Sequence, residues 1–148
     1  MANHEAAEAR TVDQVLDSTL ESVDVAEEAV LHTAQELGFD EDDLHRIGMS
    51  VRECMVNAVI HGNRYNKRKK VRLTVTRAAD RLSIVIADEG EGFDISSLPD
   101  PLANENLLRY SGRGLLLIQA FMDEFQIRTR EPNGTEVKMV KYLGKPQQ

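Results

Sequence analysis

The sequence predicts an α+β protein, a two-layer sandwich with several helices on one face of a mostly antiparallel sheet. Three observations carry this expectation. Apolar residues recur at helical spacing in three segments. Two pairs of short segments alternate apolar and polar residues, as half-buried strands do. Each pair is joined by only a few residues of turn chemistry. No repeat, linker or composition break divides the chain. Residues 11–143 are therefore read as one domain, between an N-terminus (residues 1–10) expected to be disordered and a tail at 144–148.

Taken in order, Val12, Val15, Leu16 and Leu20 open the patterned region, with a spacing that fits either an edge strand or the approach to a helix. Val23, Ala26, Val30, Ala34 and Leu37 predict a helix over residues 21–37, and Gly38 stands where a C-terminal cap belongs. The run DEDD at 40–43 supplies a cap and negative first-turn charge for a second helix ending at about Ile60. Its stripe of Leu44, Ile47, Val51, Met55 and Ala58 faces the sheet. VRLTVTR and RLSIVIAD then form a hairpin turning at AAD. Residues 89–110, with Pro99 and Pro101 and no strong period, have the length of a lid or binding loop. A third helix runs to about Phe121. Two closing strands, near 124–130 and 135–142, flank EPNG, whose Asn133-Gly134 pair is a hairpin signal.

Composition excludes several function classes. The 148 residues are 41% apolar and 29% charged, as in soluble globular domains. No apolar run reaches the length of a membrane span, and MANHEAAEAR lacks the regions of a signal peptide, so the expectation is a cytoplasmic protein with no membrane partner. The single Cys54 excludes an internal disulfide framework and a cysteine-rich zinc site, and with Met55 it reads as core packing. His4, His32, His45 and His61 have no metal-ligand spacing. A formal charge of −7 argues against direct nucleic-acid binding. The one basic run, NRYNKRKKVRL at 63–73, is read as a solvated loop leading into a strand, with a local anion or acidic partner as the alternative.

The candidate chemistry begins on the second helix, where Glu53, Asn57 and His61 follow one another at four-residue intervals and share a face. Polar residues bordering a core would give the same pattern, and His61 alone fits helix-end capping. A functional stripe would be a site for a hard cation and phosphates. An asparagine oxygen suits Mg²⁺ when phosphates and water complete the octahedron, and a glutamate one turn earlier remains free to accept a proton. Asp88 ends a strand and opens DEGEGFD, where Gly90 and Gly92 allow close backbone approach. A carboxylate there can accept from an exocyclic amine such as that of adenine. Ser111, Gly112, Arg113 and Gly114, with Leu115 behind them, stand at a helix N-terminus, where unpaired N–H groups and the macrodipole favour phosphate. Arg113 adds a charge-assisted contact. Neither a P-loop nor a Rossmann glycine motif occurs.

ECMVNAVIHGN, DEGEGF, SGRGLLLI and NGT, in that order, resemble the GHKL nucleotide-binding superfamily, which includes gyrases and histidine kinases. Over residues 11–142 the chain is most similar to the small bacterial anti-sigma-factor serine kinases. The resemblance implies a Bergerat-type sandwich that binds ATP with Mg²⁺. It implies Glu53 as catalytic base, Asn57 as magnesium ligand and Asp88 as the adenine-reading aspartate. Gly90 and Gly92 match one glycine box, Ser111 to Leu115 the phosphate-holding second, and Thr135 the threonine near the base. His61 falls where the family faces the phosphates. The implied activity is phosphorylation of an STAS-type anti-sigma-factor antagonist, with an RNA polymerase sigma factor as a further partner and a homodimer formed through the N-terminal strand. The alternatives are a sigma-sequestering module that uses nucleotide only as a conformational ligand, and the ATPase part of a histidine kinase. The last is disfavoured because the sequence shows no phospho-acceptor helix pair ahead of the domain.

Overall fold

The computed structural model describes residues 10–90 and 114–144. Strand β1 (Arg10–Asp17) is followed by helix α1 (Leu20–Leu37) and helix α2 (Glu41–Val56), whose end widens into a π-helical turn (Asn57–Gly62). Strands β2 (Lys70–Arg77) and β3 (Arg81–Ala87) come next, then helix α3 (Gly114–Phe121) and strands β4 (Glu124–Thr129) and β5 (Thr135–Tyr142). The five strands lie in the order β1-β2-β3-β5-β4, and each neighbouring pair is antiparallel. The expected α+β architecture is the observed one.

The register explains the two faces. Leu73 pairs with Ile86 and Val75 with Ile84. Ile84 in turn pairs with Met139, and Ile86 with Val137. Phe125 and Ile127 extend the same rows through β4. Side chains paired across a ladder share a face, so these residues form one apolar surface. Against it α1 lays Val23, Ala26, Val30 and Ala34, α2 lays Ile47, Val51 and Met55, and α3 lays Leu115 and Ile118, all in one core. Full burial of such a side chain is worth about 1.5–3 kcal/mol, and this seam holds the layers together. The opposite face is polar: Asp13 pairs with Arg72, Asp17 with Lys70, and Arg128 with Glu136.

Local signals place the helix ends as read. Gly38 adopts φ 101°, and its N–H donates to the carbonyls of Ala34 and Gln35 at 3.2 and 3.1 Å. The Asp40 carboxylate accepts the Asp43 N–H at 2.9 Å, ahead of three acidic first-turn residues. The ambiguous opening segment is an edge strand. It begins at Arg10, inside the stretch expected to be disordered; residues 1–9 lie outside the described residues. Leu16 packs against the core, while Val12 and Val15 stay 58% and 65% exposed.

One expectation is corrected. The second helix is not α-helical to Ile60: from Asn57 it opens into the wider turn, closed by the Asn63 N–H donating to Ala58 O five residues back at 2.8 Å. The cause lies at Asn63, whose carboxamide is bonded to groups on three other segments; holding it there absorbs an extra residue in the last turn. The β4–β5 hairpin forms as its Asn133-Gly134 signal predicts, through a loop of five residues. Pro132 has no N–H for a ladder, and the loop closes by Arg130 N–H donating to Gly134 O at 3.0 Å.

Candidate functional site

The site is built around the point where β3 leaves the sheet. Ala87 is the last residue of β3, and the next, Asp88, is 3% exposed. Its backbone N–H donates to Thr135 O at 2.9 Å, continuing the ladder with β5 by one bond. Its Oδ1 accepts the N–H groups of Gly90 and Thr135 at 3.0 and 3.2 Å. Oδ2 accepts from no described residue. Burial pushes the Asp88 carboxyl above the ordinary carboxylate range, and the two N–H groups, with Arg130 and Lys69 nearby, offset part of that rise. A buried carboxylate with one oxygen uncommitted is a specific acceptor for an N–H donor.

The surroundings of Asp88 are backbone. A Cβ on Gly62 would overlap the Asp88 carboxylate, one on Gly90 the carbonyl of Gly62, and one on Gly134 the carbonyl of Asp88. Three segments distant in sequence therefore pass in direct contact, and only glycine fits where they cross. Arg130 adds a bond from its guanidinium to Asp88 O at 2.9 Å.

Helix α2 supplies the second side. Glu53 and Asn57 lie on one face, Glu53 half-buried and Asn57 8% exposed. The Glu53 carboxylate makes no hydrogen bond or ion pair with a described residue. The Asn57 amide nitrogen is buried and has no acceptor among the described residues. A buried amide left unmet usually waits for a ligand or water. Its oxygen and nitrogen ends interchange by a flip, so this carboxamide can present either to what binds. The donor type and the free end fit a magnesium–phosphate group. His61, carried on the widened turn, is exposed. Cys54, between these residues, is buried with its thiol pushed up by desolvation, which makes it an inert core group.

Of the remaining expected residues, Gly114 begins α3 and is buried, Leu115 is 1% exposed in the core, and Thr135 is 2% exposed beside Asp88. Gly92, Ser111, Gly112 and Arg113, and the expected lid from residue 91 onward, lie outside the described residues. The sequence reading missed Gly62, Asn63 and the second role of Gly134. Asn63 was grouped with the solvated basic run; Arg64, Lys67 and Arg68 are indeed exposed, but Asn63 is 2% exposed. Nothing in local spacing separates such a residue from a helix-end polar group.

Residues 16–141 match the family model of the histidine kinase-like ATPase domain. Among curated relatives, the serine-protein kinase RsbW of Staphylococcus epidermidis is 35% identical over 117 residues, 74% of this chain and 72% of that protein. RsbW of Bacillus subtilis is 31% identical over 116 residues, covering 74% and 71%. The anti-sigma F factor of Oceanobacillus iheyensis is 35% identical over 106 residues, covering 70% and 73%. The matched span runs from the end of β1 to the end of β5 and encloses both sides of the site, and the chain belongs to the histidine kinase-like ATPase domain family, the GHKL group its motifs resemble.

Proposed function

We propose that this protein is an anti-sigma-factor-type serine/threonine kinase, which binds ATP with Mg²⁺ and phosphorylates an STAS-type antagonist protein, thereby setting how much sigma factor is available. Relatives named serine-protein kinase and anti-sigma F factor support the class. The observation that carries the reading is the pairing on α2: a Glu53 carboxylate without a partner among the described residues, one turn before the unmet carboxamide of Asn57. Mere nucleotide binding needs no free carboxylate there; transfer to a hydroxyl does.

In this reading Asp88 accepts from the adenine amine through Oδ2, and the contacting backbones of Gly62, Gly90 and Gly134 fix where its carboxylate stands. Asn57 holds Mg²⁺, which when bound supplies charge neutralisation on the phosphates. Gly90, Gly92, Ser111, Gly112, Arg113, Gly114 and Leu115 cradle the phosphates, with His61 at their exposed side and Thr135 beside Asp88. Glu53 takes the proton of the partner's seryl hydroxyl as its oxygen bonds to the γ-phosphorus and ADP leaves. The protein acts as a homodimer through β1, whose exposed Val12 and Val15 lie on the sheet edge.

The test is capture of partners on the immobilised protein with Mg·ATP present, followed by a phosphotransfer assay on the recovered antagonist. Phosphoserine or phosphothreonine on that protein is the expected result. Recovery of a sigma factor with no transfer to any captured protein would replace the kinase reading with that of a sequestering module.

A further inference from the structure

Asn63 closes a ring of hydrogen bonds beside the site. Its Nδ2 donates to Ser18 Oγ at 2.8 Å and to Lys70 O at 3.0 Å, and its Oδ1 accepts the Glu89 N–H at 2.8 Å. Glu89 answers with its own side chain, whose Oε1 accepts the Lys70 N–H at 2.7 Å. Ser18 donates onward to Lys69 O at 2.5 Å. The carboxamide is 2% exposed, and three of its four hydrogen-bonding positions are filled by groups on three different segments. A solvated loop residue has no need of such a set. The ring also has a direction. Two bonds fasten Asn63 to fixed frame, the ends of β1 and β2, and the third reaches the backbone of the residue directly after Asp88. On the other side of that turn, Gly90 rests against the carbonyl of Gly62, the residue directly before Asn63. Residues 62–63 are thus the platform on which the 88–90 turn sits.

We infer that Asn63 is a positioning residue that holds the 88–90 turn at the distance and angle at which Asp88 discriminates adenine from guanine. This rests on the reading of Asp88 as the adenine acceptor. The physical basis is that a purine differs from its competitor at one exocyclic position, so discrimination depends on where one oxygen stands to within a few tenths of an ångström. Oδ1 of Asp88 is fixed by the Gly90 and Thr135 N–H groups; the Gly90 donor moves with the turn that Asn63 holds. Removing the Glu89 bond frees one wall of the turn, and the Gly90 N–H with it, while the Thr135 N–H stays on Asp88 Oδ1.

The experiment measures Kd for Mg·ATP and Mg·GTP by calorimetry on the full chain, and uses the ratio of the GTP value to the ATP value. Loss of folded protein scales both affinities alike and cancels in the ratio, so a merely structural role leaves it unmoved. Asn63→Ala is expected to lower the ratio by about tenfold, the worth of one well-placed hydrogen bond. Asn63→Asp keeps the acceptor for Glu89 and loses both donors, and is expected to hold the ratio within about twofold despite a lower melting temperature. Ser18→Ala, which loses only the far anchor, is expected to behave likewise. A wild-type ratio near one overturns the reading of Asp88 and this inference with it. A discriminating wild type that loses the ratio in Asp88→Asn but keeps it in Asn63→Ala overturns the inference alone. Should Asn63→Ala not fold, Asn63→Ser, whose shorter side chain also gives up the Glu89 bond, decides: a folded variant that keeps the wild-type ratio is the refuting result.

Discussion

Replacing Asp88 by asparagine separates two effects that the wild type binds together. The side chain keeps its shape, and its oxygen still accepts the Gly90 and Thr135 N–H groups; what is lost is the charge and the second acceptor, because an NH2 group takes the place of Oδ2. Nucleotide binding then loses a charge-assisted acceptor. A hydrogen bond to a charged group is worth about 1.5–3 kcal/mol, so the Kd for Mg·ATP should rise about 10- to 150-fold. Stability should move the other way. Burial raises the Asp88 carboxyl above its ordinary 3.8, so the folded state holds that proton more tightly than the unfolded chain does. A raised value means that the stabilisation is complete below the unfolded pKa and is lost as pH climbs through the higher folded one. At neutral pH the nucleotide-free wild type carries the cost of an ionised buried carboxylate, and the asparagine variant does not. Without nucleotide, Asp88→Asn should therefore melt no lower than wild type at pH 7, with its advantage shrinking as pH falls through the raised folded pKa and no longer changing below about 3.8. Calorimetric titration with ATP and thermal melts at the two pH values measure both. Unchanged ATP affinity refutes the adenine assignment. A variant that melts well below wild type at pH 7 refutes the electrostatic argument.

Three further outcomes are expected. Glu53→Gln should leave the fold and ATP affinity nearly unchanged, because its carboxylate has no described partner to lose, while transfer at saturating ATP falls by about 10²–10⁴-fold; wild-type transfer in this variant removes Glu53 from the mechanism. Asn57→Ala should abolish the magnesium dependence of ATP binding without lowering the nucleotide-free melting temperature, since the amide it removes lacks an acceptor among the described residues; ATP affinity that still responds to Mg²⁺ would show that the cation is held elsewhere. Sedimentation should give a dimer that Val12→Asp combined with Val15→Asp converts to monomer, and a wild-type monomer at micromolar concentration with and without ATP would exclude β1 as an interface.

Legibility in the sequence followed the range of the interactions. Glu53 and Asn57 could be paired from four-residue spacing because an α-helix fixes that geometry locally, and Asp88 could be set at a strand end because alternation stops there. The β1 pattern stayed open for a physical reason. An edge strand contributes only Leu16 to the core, so its period is never enforced along its length. The π-turn, Gly62 and Asn63 were illegible because their causes lie on other segments: Asn63 bonds to Ser18, 45 residues away, and to the Glu89 N–H, 26 residues away. The same holds for Gly134, whose place in a hairpin loop hides that it also backs onto Asp88. Four local motifs mark the residues proposed to face a ligand, whereas the backbone crossings at 62–63, 88–90 and 134–135 set where Asp88 stands. Substitutions at the crossings should consequently act on geometry and specificity, and substitutions at Glu53 on the rate of the chemical step alone. That division is measurable as a change in Kd ratios on one side and in kcat at saturating ATP on the other.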